Sequence, residues 1–343
     1  MTRITDVARA AGVSPATVSR ALNRPDLVTL EKRERVLAAV RALDYSPNQL
    51  AHGLRAGAVK AIALLVGDIS QPFHGAFAKA ISRQGETLGY RVMLADLDHS
   101  EERLVRLLNE FKTSDIYGVV LATANNLSTP PVLAAIAAAQ GRGLMVVSSS
   151  QEVKGRVPVI VPRYQAISHL ATLHLATQGR RPIIFVGGSD ESPLSRERSG
   201  GFERACAELG YGDTDEWMFD GHFAVDESRV KMEQLLDRHV RDGALARPFG
   251  VVAVNMKMAI GVMQAAADRG IRIPEDMSIV CCEDLPLAAE WRPAVTTVGI
   301  DFDSLAAATF QTLIAGAEAP LVTYLPHRLV VRTSSAVPVS EPA

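Results

Sequence analysis

Short apolar segments alternate with amphipathic or alanine-rich segments over most of the chain, and this alternation restricts the fold more than any other feature. The apolar segments have the length of buried strands, and they form two series that separate near Val161-Pro162. Such alternation predicts parallel sheets joined by right-handed crossovers. We therefore expect an α/β body of two doubly wound parallel-sheet subdomains that meet across a cleft. The strands are predicted at 61–66, 91–94, 118–121, 144–148 and 157–161 in the first series, and at 182–186, 251–254 and 278–282 in the second.

Helices are predicted between the strands, because apolar residues recur there at helical spacing. In open parallel sheets, ligands bind beyond the carboxyl ends of the strands. We therefore expect a ligand in the cleft, held by the loops that follow the strands. The helices are predicted around 75–88, 100–112, 130–140, 165–178, 199–209, 226–241, 257–269 and 303–315.

Residues 3–24 have a different pattern, which predicts two short helices separated by a glycine turn. Thr5 and Ser14 are predicted to cap them, because a hydroxyl oxygen accepts a free backbone N–H at a helix start. Gly12 stands where the first helix must end, and Pro15 stands in the first turn of the second, where its missing N–H costs nothing. The two helices share an apolar face formed by Val7, Ala8, Val18, Ala21 and Leu22.

A third helix is predicted from Thr29 to Asp44, with Val36, Leu37, Val40 and Leu43 at helical spacing. The second helix keeps Thr17, Ser19, Arg20 and Asn23 as outward polar groups. A helix-turn-helix places its second helix in the major groove of DNA, where such side chains reach base edges and phosphates. The alternative is a plain helical hairpin packed on the third helix.

Charge is unevenly distributed along the chain, whose net charge is −2. Residues 1–60 hold 10 Lys and Arg against 5 Asp and Glu, and the remainder is acidic. A basic N-terminal segment on an acidic body is typical of a nucleic-acid-binding module joined to another domain.

Other sequence features exclude several classes of function. We find no signal peptide and no apolar run of about 20 residues, so a cytoplasmic protein is expected. Cys206, Cys281 and Cys282 lack the spacing of metal ligands and are interpreted as core residues. Neither a nucleophile, a phosphate-binding nor a dinucleotide-binding motif is present, so we expect no enzyme, cofactor or metal.

The segment 45–57 carries the most specific pattern, with Tyr45-Ser46-Pro47-Asn48 followed by Leu50, Leu54 and Arg55. Together with the helix-turn-helix and the third helix, it resembles the LacI family (LacI/GalR) of bacterial transcription regulators, and the resemblance extends to about residue 334. It implies a repressor that binds a pseudo-palindromic operator as a homodimer and responds to a small-molecule effector in the cleft of a body of periplasmic-binding-protein type.

The resemblance also implies the domain organisation, with three crossings of the chain between the subdomains. We expect a helix-turn-helix DNA-binding domain at 1–46 and a hinge helix with linker at 47–58. The N-terminal effector subdomain is expected at 59–161 plus about 290–320, and the C-terminal effector subdomain at 162–289 plus about 321–336. Residues 337–343 form a tail without the leucine heptads that make some members tetramers, so a dimer is expected.

In the family pattern, the residues that contact bases are Pro15, Ala16 and Arg20. Arg20 is the candidate for recognising a guanine. The resemblance implies that Leu54 of each subunit enters the minor groove. The full set of DNA-binding candidates is Thr5, Ser14, Pro15, Ala16, Thr17, Ser19, Arg20, Asn23, Asn48, Ala51 and Leu54.

The family pattern places the effector against residues of the cleft loops, although Phe73 has the alternative of plugging its loop into the core. Segment 161–165 lacks an expected Asp-Asn, and Ser148-Ser149-Ser150 stands where many members carry Asp. Fewer carboxylates and a guanidinium favour a sugar phosphate or sugar acid, whereas Glu283 favours a neutral sugar. The effector-binding candidates are Phe73, His74, Ser149, Arg198, Phe223, Asn255 and Glu283.

Two other classes of protein share parts of this pattern. A periplasmic sugar-binding protein has the same two-subdomain body, but residues 3–57 and the missing signal peptide argue against it. An α/β enzyme has the same alternation of strands and helices, but no catalytic constellation supports it.

Overall fold

The N-terminal unit, Met1–Val59, contains three helices around a small apolar core. They are α1 (Ile4–Ala11), α2 (Pro15–Asn23) and α3 (Leu30–Ala42). We call this unit the head. Its buried side chains come from all three helices and are Val7, Ala8, Ala11, Val18, Ala21, Val36 and Ala39.

The turn between α1 and α2 follows the prediction, but the caps follow it only in part. Gly12 has φ +62°, the left-handed region that favours glycine, and the Ser14 hydroxyl accepts the backbone N–H of Thr17 at 3.2 Å. Thr5 lies inside α1, which begins at Ile4, so its prediction as the cap was wrong. Thr29 precedes α3, but its side chain makes no cap hydrogen bond.

Arg35 connects α3 to the end of α1. Its guanidinium donates to the carbonyl oxygens of Ala11 at 2.6 Å and Gly12 at 3.3 Å. These carbonyls have no partner within α1, because the helix ends there. A side chain of α3 therefore satisfies the end of α1 and fixes the turn before α2.

The computed structural model describes residues 4–23, 28–43, 60–153, 157–188, 192–241 and 248–336. The second unit, Lys60–Ala343, is called the body. It contains two six-stranded sheets with the orders β11-β5-β4-β3-β1-β2 and β12-β10-β9-β8-β6-β7. Every strand pair is parallel except β10 with β12, which is antiparallel. The strands are β1 (Lys60–Val66), β2 (Tyr90–Asp96), β3 (Gly118–Ala122), β4 (Met145–Ser148), β5 (Val159–Pro162), β6 (Ile183–Gly187), β7 (Met218–Asp220), β8 (Phe249–Ala253), β9 (Met277–Cys281), β10 (Thr296–Gly299), β11 (Val322–Leu325) and β12 (Arg328–Val330).

Helices cover both faces of each sheet, and this explains the apolar runs in the central strands. β3, β6, β8 and β9 are buried along their whole length, as expected for parallel strands enclosed on two sides. The body helices are Pro72–Thr87, Glu101–Glu110, Pro130–Gly141, Tyr164–Thr177, Pro193–Glu208, Val225–Arg241, Met256–Asp268, Pro286–Glu290 and Phe302–Ala315, with short 3₁₀ turns at Asp215–Trp217 and Gly316–Glu318.

Two subdomains follow from the sheets, and the α/β fold class is as predicted. The chain passes from the first sheet to the second after β5, returns after β10, and crosses again after β11. The three crossings are as expected, but the later boundaries were displaced. β10 lies in the second sheet, so residues 290–299 belong to the C-terminal subdomain and not, as predicted, to the N-terminal one. β11 lies in the first sheet, so residues 322–325 belong to the N-terminal subdomain and not to the C-terminal one. Both strands are short and contain threonine, and neither has the apolar run that marks the central strands.

Some predicted features fall outside the described residues. These are the side chains of Ser19, Leu22 and Asn23, the hinge segment 47–58 with Asn48, Ala51 and Leu54, and the tail 337–343. Among the residues that are described, no helix is both long and apolar enough to span a membrane.

The close packing of two body helices depends on a single glycine. A Cβ at Gly201 would overlap the carbonyl group of Gln165 on the facing helix, whereas a Cβ at Gly200 would meet only the side-chain amide of Gln165, at 3.7 Å. We expect Gly201→Ala to lower the free energy of unfolding of the body by about 1–3 kcal/mol, as overpacking does. Gly200→Ala is the matched control and should leave stability unchanged or raise it by about 0.5–1 kcal/mol.

Urea denaturation followed by circular dichroism measures both variants. Equal stability of Gly200→Ala and Gly201→Ala would contradict the close contact at Gly201.

Candidate functional site

A cavity lies between the two sheets, at the carboxyl ends of strands from both. Each of β1 to β9 is followed by a loop or helix start that contributes to its wall. The wall therefore has the position that parallel sheets give to a ligand site. The principal lining side chains, in strand order, are Gln71, Phe73 and His74, then His99, Thr123, Ser150, Tyr164, Leu194 and Arg198, then His222 and Phe223, Asn255 and Glu283.

Six of the seven predicted effector residues lie on this wall, and Ser149 does not. The Ser149 side chain is buried, and its hydroxyl donates to the carbonyl oxygen of Leu121 at 3.4 Å. Its neighbour Ser150 lines the cavity instead. The wall therefore includes Ser150 in place of the predicted Ser149, although the Ser150 hydroxyl also lies 3.5 Å from the Leu121 carbonyl oxygen.

Phe73 packs against the core of its subdomain and also lines the cavity. Its ring packs edge-on against Phe302 with centroids 5.1 Å apart, next to the core of the first subdomain. It also lines the cavity beside His74. The ring thus anchors the loop after β1 and forms part of the wall.

His74 lines the cavity, and the protonation of its two ring nitrogens is defined by one contact. Its Nδ1 lies 2.6 Å from the carbonyl oxygen of Asp68. Because a carbonyl oxygen only accepts, Nδ1 carries the proton in this contact and Nε2 is left as an acceptor. Burial lowers the pKa of His74, so the ring is neutral near pH 7.

Arg198 is a buried cation in the wall, with 8% of its surface exposed. It stands on helix Pro193–Glu208, and its guanidinium carbon lies 4.6 Å from the centre of the Tyr164 ring. Stacking on an aromatic face orients the guanidinium plane and partly offsets the loss of water. Burial raises the pKa of Tyr164, so this phenol is neutral near pH 7.

Glu283 follows β9 and is partly buried at the cavity. Burial raises the pKa of Glu283 to about 7, against the opposing effects of Arg198 and of the Met256 backbone N–H. That N–H donates to the Glu283 carboxylate at 3.2 Å. Glu283 is therefore a carboxyl group that changes its protonation near neutral pH.

An ion pair behind the cavity holds the residue next to Glu283. The Asp284 carboxylate accepts from Arg332 at 2.9 Å, from Thr297 at 2.8 Å and from Arg328 at 3.3 Å. Arg332 also donates to the carbonyl oxygen of Val295 at 2.8 Å. These partners belong to β10, β12 and the residues beside them, so the elements at two of the three crossings fix the loop that carries Glu283.

Asn255 has a local structural role as well as its place in the wall. Its side-chain oxygen accepts the backbone N–H of Met258 at 2.8 Å and caps helix Met256–Asp268. Only the side-chain NH₂ group is then left to donate toward the cavity.

Phe223 covers the cavity on a turn of unusual conformation. His222 and Phe223 have φ of +52° and +53°, a region that side chains other than glycine rarely adopt. Gly188 leaves room for the Phe223 ring, because a Cβ there would overlap it.

Two hydrogen bonds join the subdomains at the mouth of the cavity. The Gln71 side chain donates to the Phe223 carbonyl oxygen at 3.4 Å, and the Lys257 ammonium donates to the Ser70 hydroxyl at 3.1 Å. Each bond connects the loop after β1 to the second subdomain. Both hydrogen bonds would be lost if the two subdomains moved apart.

Sequence reasoning missed several side chains of the wall. Each of them follows a strand within a few residues, which is the only signal that could have identified them. They are Gln71, His99, Thr123, Ser150, Tyr164, Leu194 and His222. In the part of the chain that the structure describes, no group of His, Cys, Asp and Glu has the arrangement of a metal site.

The head carries the second group of candidates on α2 and at the start of α1. Thr5, Pro15, Ala16 and Arg20 are exposed. The Ser14 and Thr17 hydroxyls lie 2.9 Å apart and hydrogen-bond to each other. The exposed face of α2 therefore combines the small Pro15 and Ala16 with the longer Arg20.

Comparison with known proteins accounts for both units. Residues 3–48 match the family described as bacterial regulatory proteins, lacI family, and residues 172–335 match the periplasmic binding protein-like domain. The ribose operon repressor of Halalkalibacterium halodurans is 32% identical over 98% of this chain and 97% of its own length. The chain belongs to the lacI family of bacterial regulatory proteins. It is a DNA-binding transcription regulator.

Other relatives and solved structures extend this finding. The catabolite control protein A of Priestia megaterium is 27% identical over 97% of this chain and 98% of its own length. The crystal structure of the Lac repressor bound to ONPG has a TM-score of 0.78, with 23% identity over 97% of this chain and 99% of that one. The structure of a CelR–cellobiose complex has a TM-score of 0.69, with 23% identity over 98% of this chain and 100% of that one. These structures share the fold of this lacI-family chain.

The raised pKa of Glu283 predicts a pH dependence of stability. A carboxyl group with a higher pKa in the folded state than in the unfolded state binds more protons when folded, so stability falls as pH rises between the two pKa values. Between pH 4.5, the ordinary pKa of a glutamate, and about pH 7, we expect wild type to lose up to a few kcal/mol of stability relative to Glu283→Gln, with no further loss at higher pH.

Thermal unfolding of both proteins from pH 5 to pH 9 measures this difference. A constant difference between Glu283→Gln and wild type across the whole range would contradict the assignment of the raised pKa to Glu283.

Proposed function

We propose that this chain is a repressor that binds a pseudo-palindromic operator as a homodimer and is controlled by a small molecule in the body cavity. The observation that carries the proposal is the convergence of loops from both subdomains on one cavity, in a chain that also has a helix-turn-helix head. The effector class is a sugar, a sugar phosphate or a sugar acid. The protein acts in the cytoplasm and is not an enzyme.

Operator reading is assigned to the exposed face of α2. Arg20 has the reach and the two parallel donors that recognise guanine, whereas Pro15 and Ala16 offer only apolar contact. Residues 1–46 form the DNA-binding domain in this proposal. Thr5, Ser14, Thr17, Ser19 and Asn23 contribute contacts to phosphates or base edges.

The segment 47–58 is proposed to be a hinge helix that forms between two subunits on DNA. A helix of about two turns is too short to be stable alone in water. Asn48 caps it, and Ala51 and Leu54 face the minor groove, where Leu54 separates a base step.

Exposed apolar side chains on the body support the homodimer. β2 is an edge strand of the first sheet, and Met93 and Leu94 on it are 40% and 43% exposed. Leu88 in the preceding turn is 41% exposed. An unpaired edge with apolar side chains is suited to pairing with a second copy by two-fold symmetry.

Effector control follows from the position of the cavity. A ligand between the subdomains changes their separation and competes with the bonds from Gln71 to Phe223 and from Lys257 to Ser70. The ligand changes the free energy of DNA binding by no more than the difference between its binding free energies for the two arrangements. Phe73, His74, Ser150, Arg198, Phe223, Asn255 and Glu283 are the proposed contacts.

Arg20→Ala tests the proposed function. We expect the variant to lose about 1–3 kcal/mol of preference for the operator over unrelated DNA, because one bidentate contact to guanine is lost. The measurement is a gel shift with the DNA upstream of the chain's own gene against a scrambled duplex of the same length. Arg33→Ala, which removes an exposed charge of α3 in the same head, is the control for non-specific phosphate attraction.

The operator preference of Arg33→Ala should stay close to that of wild type. If Arg20→Ala keeps the wild-type preference, Arg20 does not read the operator. If wild type itself has none, the proposed function is wrong.

A further inference from the structure

The cavity contains one buried cation that the described residues do not pair. Arg198 is buried, and no carboxylate of the described residues forms an ion pair with it, although 14 ion pairs occur elsewhere. Its described partner is the face of Tyr164. Glu283 is near enough for Arg198 to lower its pKa, but the two side chains form no ion pair. A buried charge without a direct ion-pair partner is costly. This cost is removed by an anion that enters the cavity.

The charge of Arg198 acts on two carboxyl groups of the described residues, Glu197 and Glu283. Of the described residues that line the cavity, only Glu283 has a carboxyl group. Its carboxylate is already engaged by the Met256 N–H, at 3.2 Å. When it is protonated, it is neutral and gains an O–H donor.

Other titratable groups around Glu283 do not gain negative charge near neutral pH. Burial raises the pKa of Tyr164, raises that of Cys282 to about 12, and raises that of Cys281 well above its ordinary value. Burial lowers the pKa of His74. The groups that face the cavity or Glu283 are Arg198 and Tyr164 from two helices, Cys281 and Cys282 from its own strand, and His74, His99 and His222 from the surrounding loops.

We propose that the effector is a small polyhydroxy compound bearing one anionic group, that Arg198 binds this group, and that Glu283 takes up a proton when the effector enters. The inference rests on the proposed function, since it names the ligand class of the same cavity. A neutral sugar has the opposite effect, because its hydroxyls donate to the ionised carboxylate and favour loss of the proton.

The remaining wall fits the uncharged part of such a compound. Phe73 and Phe223 provide apolar faces for the C–H groups of a sugar ring. His74 Nε2 accepts from a hydroxyl, and the Asn255 side-chain NH₂ donates to one. The described wall thus combines apolar faces, hydrogen-bonding groups and the cation of Arg198.

The first test is isothermal titration calorimetry of the full chain near pH 7, in two buffers with different ionisation enthalpies. The probes are two matched sets: D-glucose, D-gluconate and D-glucose 6-phosphate, and D-ribose, D-ribonate and D-ribose 5-phosphate. An acidic member should bind at least about tenfold more tightly than its neutral parent, as a desolvated charge pair requires. Its binding should take up about half a proton, since a group with a pKa of about 7 is half protonated there.

The two kinds of acidic probe distinguish a carboxylate from a phosphate as the anionic group of the effector. Tighter binding of gluconate or ribonate identifies a sugar acid, and tighter binding of a sugar phosphate identifies a phosphate ester. Tighter binding of a neutral parent, or release of protons by the binding ligand, overturns the inference.

The second test needs no knowledge of the sugar and decides the inference if none of the probes binds. The melting temperature is measured in sodium sulfate and in sodium chloride of equal ionic strength, at pH 6 and pH 8. Sulfate keeps the same charge at both pH values, so a pH dependence of its effect belongs to the protein. In wild type, sulfate should raise the melting temperature above its value in chloride, and this rise should be larger at pH 6 than at pH 8.

Variants assign this protection to the two residues. Arg198→Gln should retain only the general effect of sulfate, which is common to all proteins, and Glu283→Gln should be protected equally at both pH values. Arg204→Gln, an exposed arginine of the same helix, is the control and should behave as wild type. Wild-type protection in Arg198→Gln overturns the inference.

Operator binding is measured separately, so the two proposals fail in different ways. Proton-linked anion binding by a chain with no operator preference would leave the ligand inference standing and overturn the proposed function. Operator preference with neutral-sugar binding would do the reverse.

Discussion

Parallel strands end along one edge of their sheet, and in this chain two such edges face each other across the cavity. The wall is therefore assembled from short loops on two rigid layers. Each loop brings one or two side chains, and none could form the site alone. Because the two halves of the wall belong to different subdomains, any ligand that contacts both must also set the distance between them.

Residues close to the three crossings between the sheets contact the charged side chains of the cavity or their neighbours. Tyr164, which stacks on Arg198, is the second residue after β5, where the chain first crosses. Arg332 and Thr297, which hold Asp284 beside Glu283, lie next to the other two crossings. The neighbours of Arg198 and of Glu283 thus lie near the segments that a relative movement of the subdomains must bend. Binding of a ligand in the cavity, or protonation of Glu283, is therefore coupled through a few short contacts to the relative position of the two subdomains.

The sequence predicted the central strands and helices because their apolar runs and helical spacing are strong signals, and it predicted the turn at Gly12 from the chemistry of glycine. It did not predict β7, β10, β11 and β12, which are short and carry no apolar run. Ser149 was predicted on the wall but Ser150 lies there, because the sequence pattern does not distinguish between adjacent serines in one loop. The pKa of Glu283 and the stacking of Tyr164 on Arg198 depend on three separate chain segments, and only the folded structure brings these together.

A chain of this family acts as a regulator only if the cavity and the DNA-binding head influence each other, and thermodynamic reciprocity tests that directly. The measurement is the operator affinity of the full chain with and without saturating effector, together with the effector affinity of the free and the operator-bound chain. We expect the two ratios of affinities to be equal and to differ from one. An effector that binds the free and the operator-bound chain with the same affinity would contradict it.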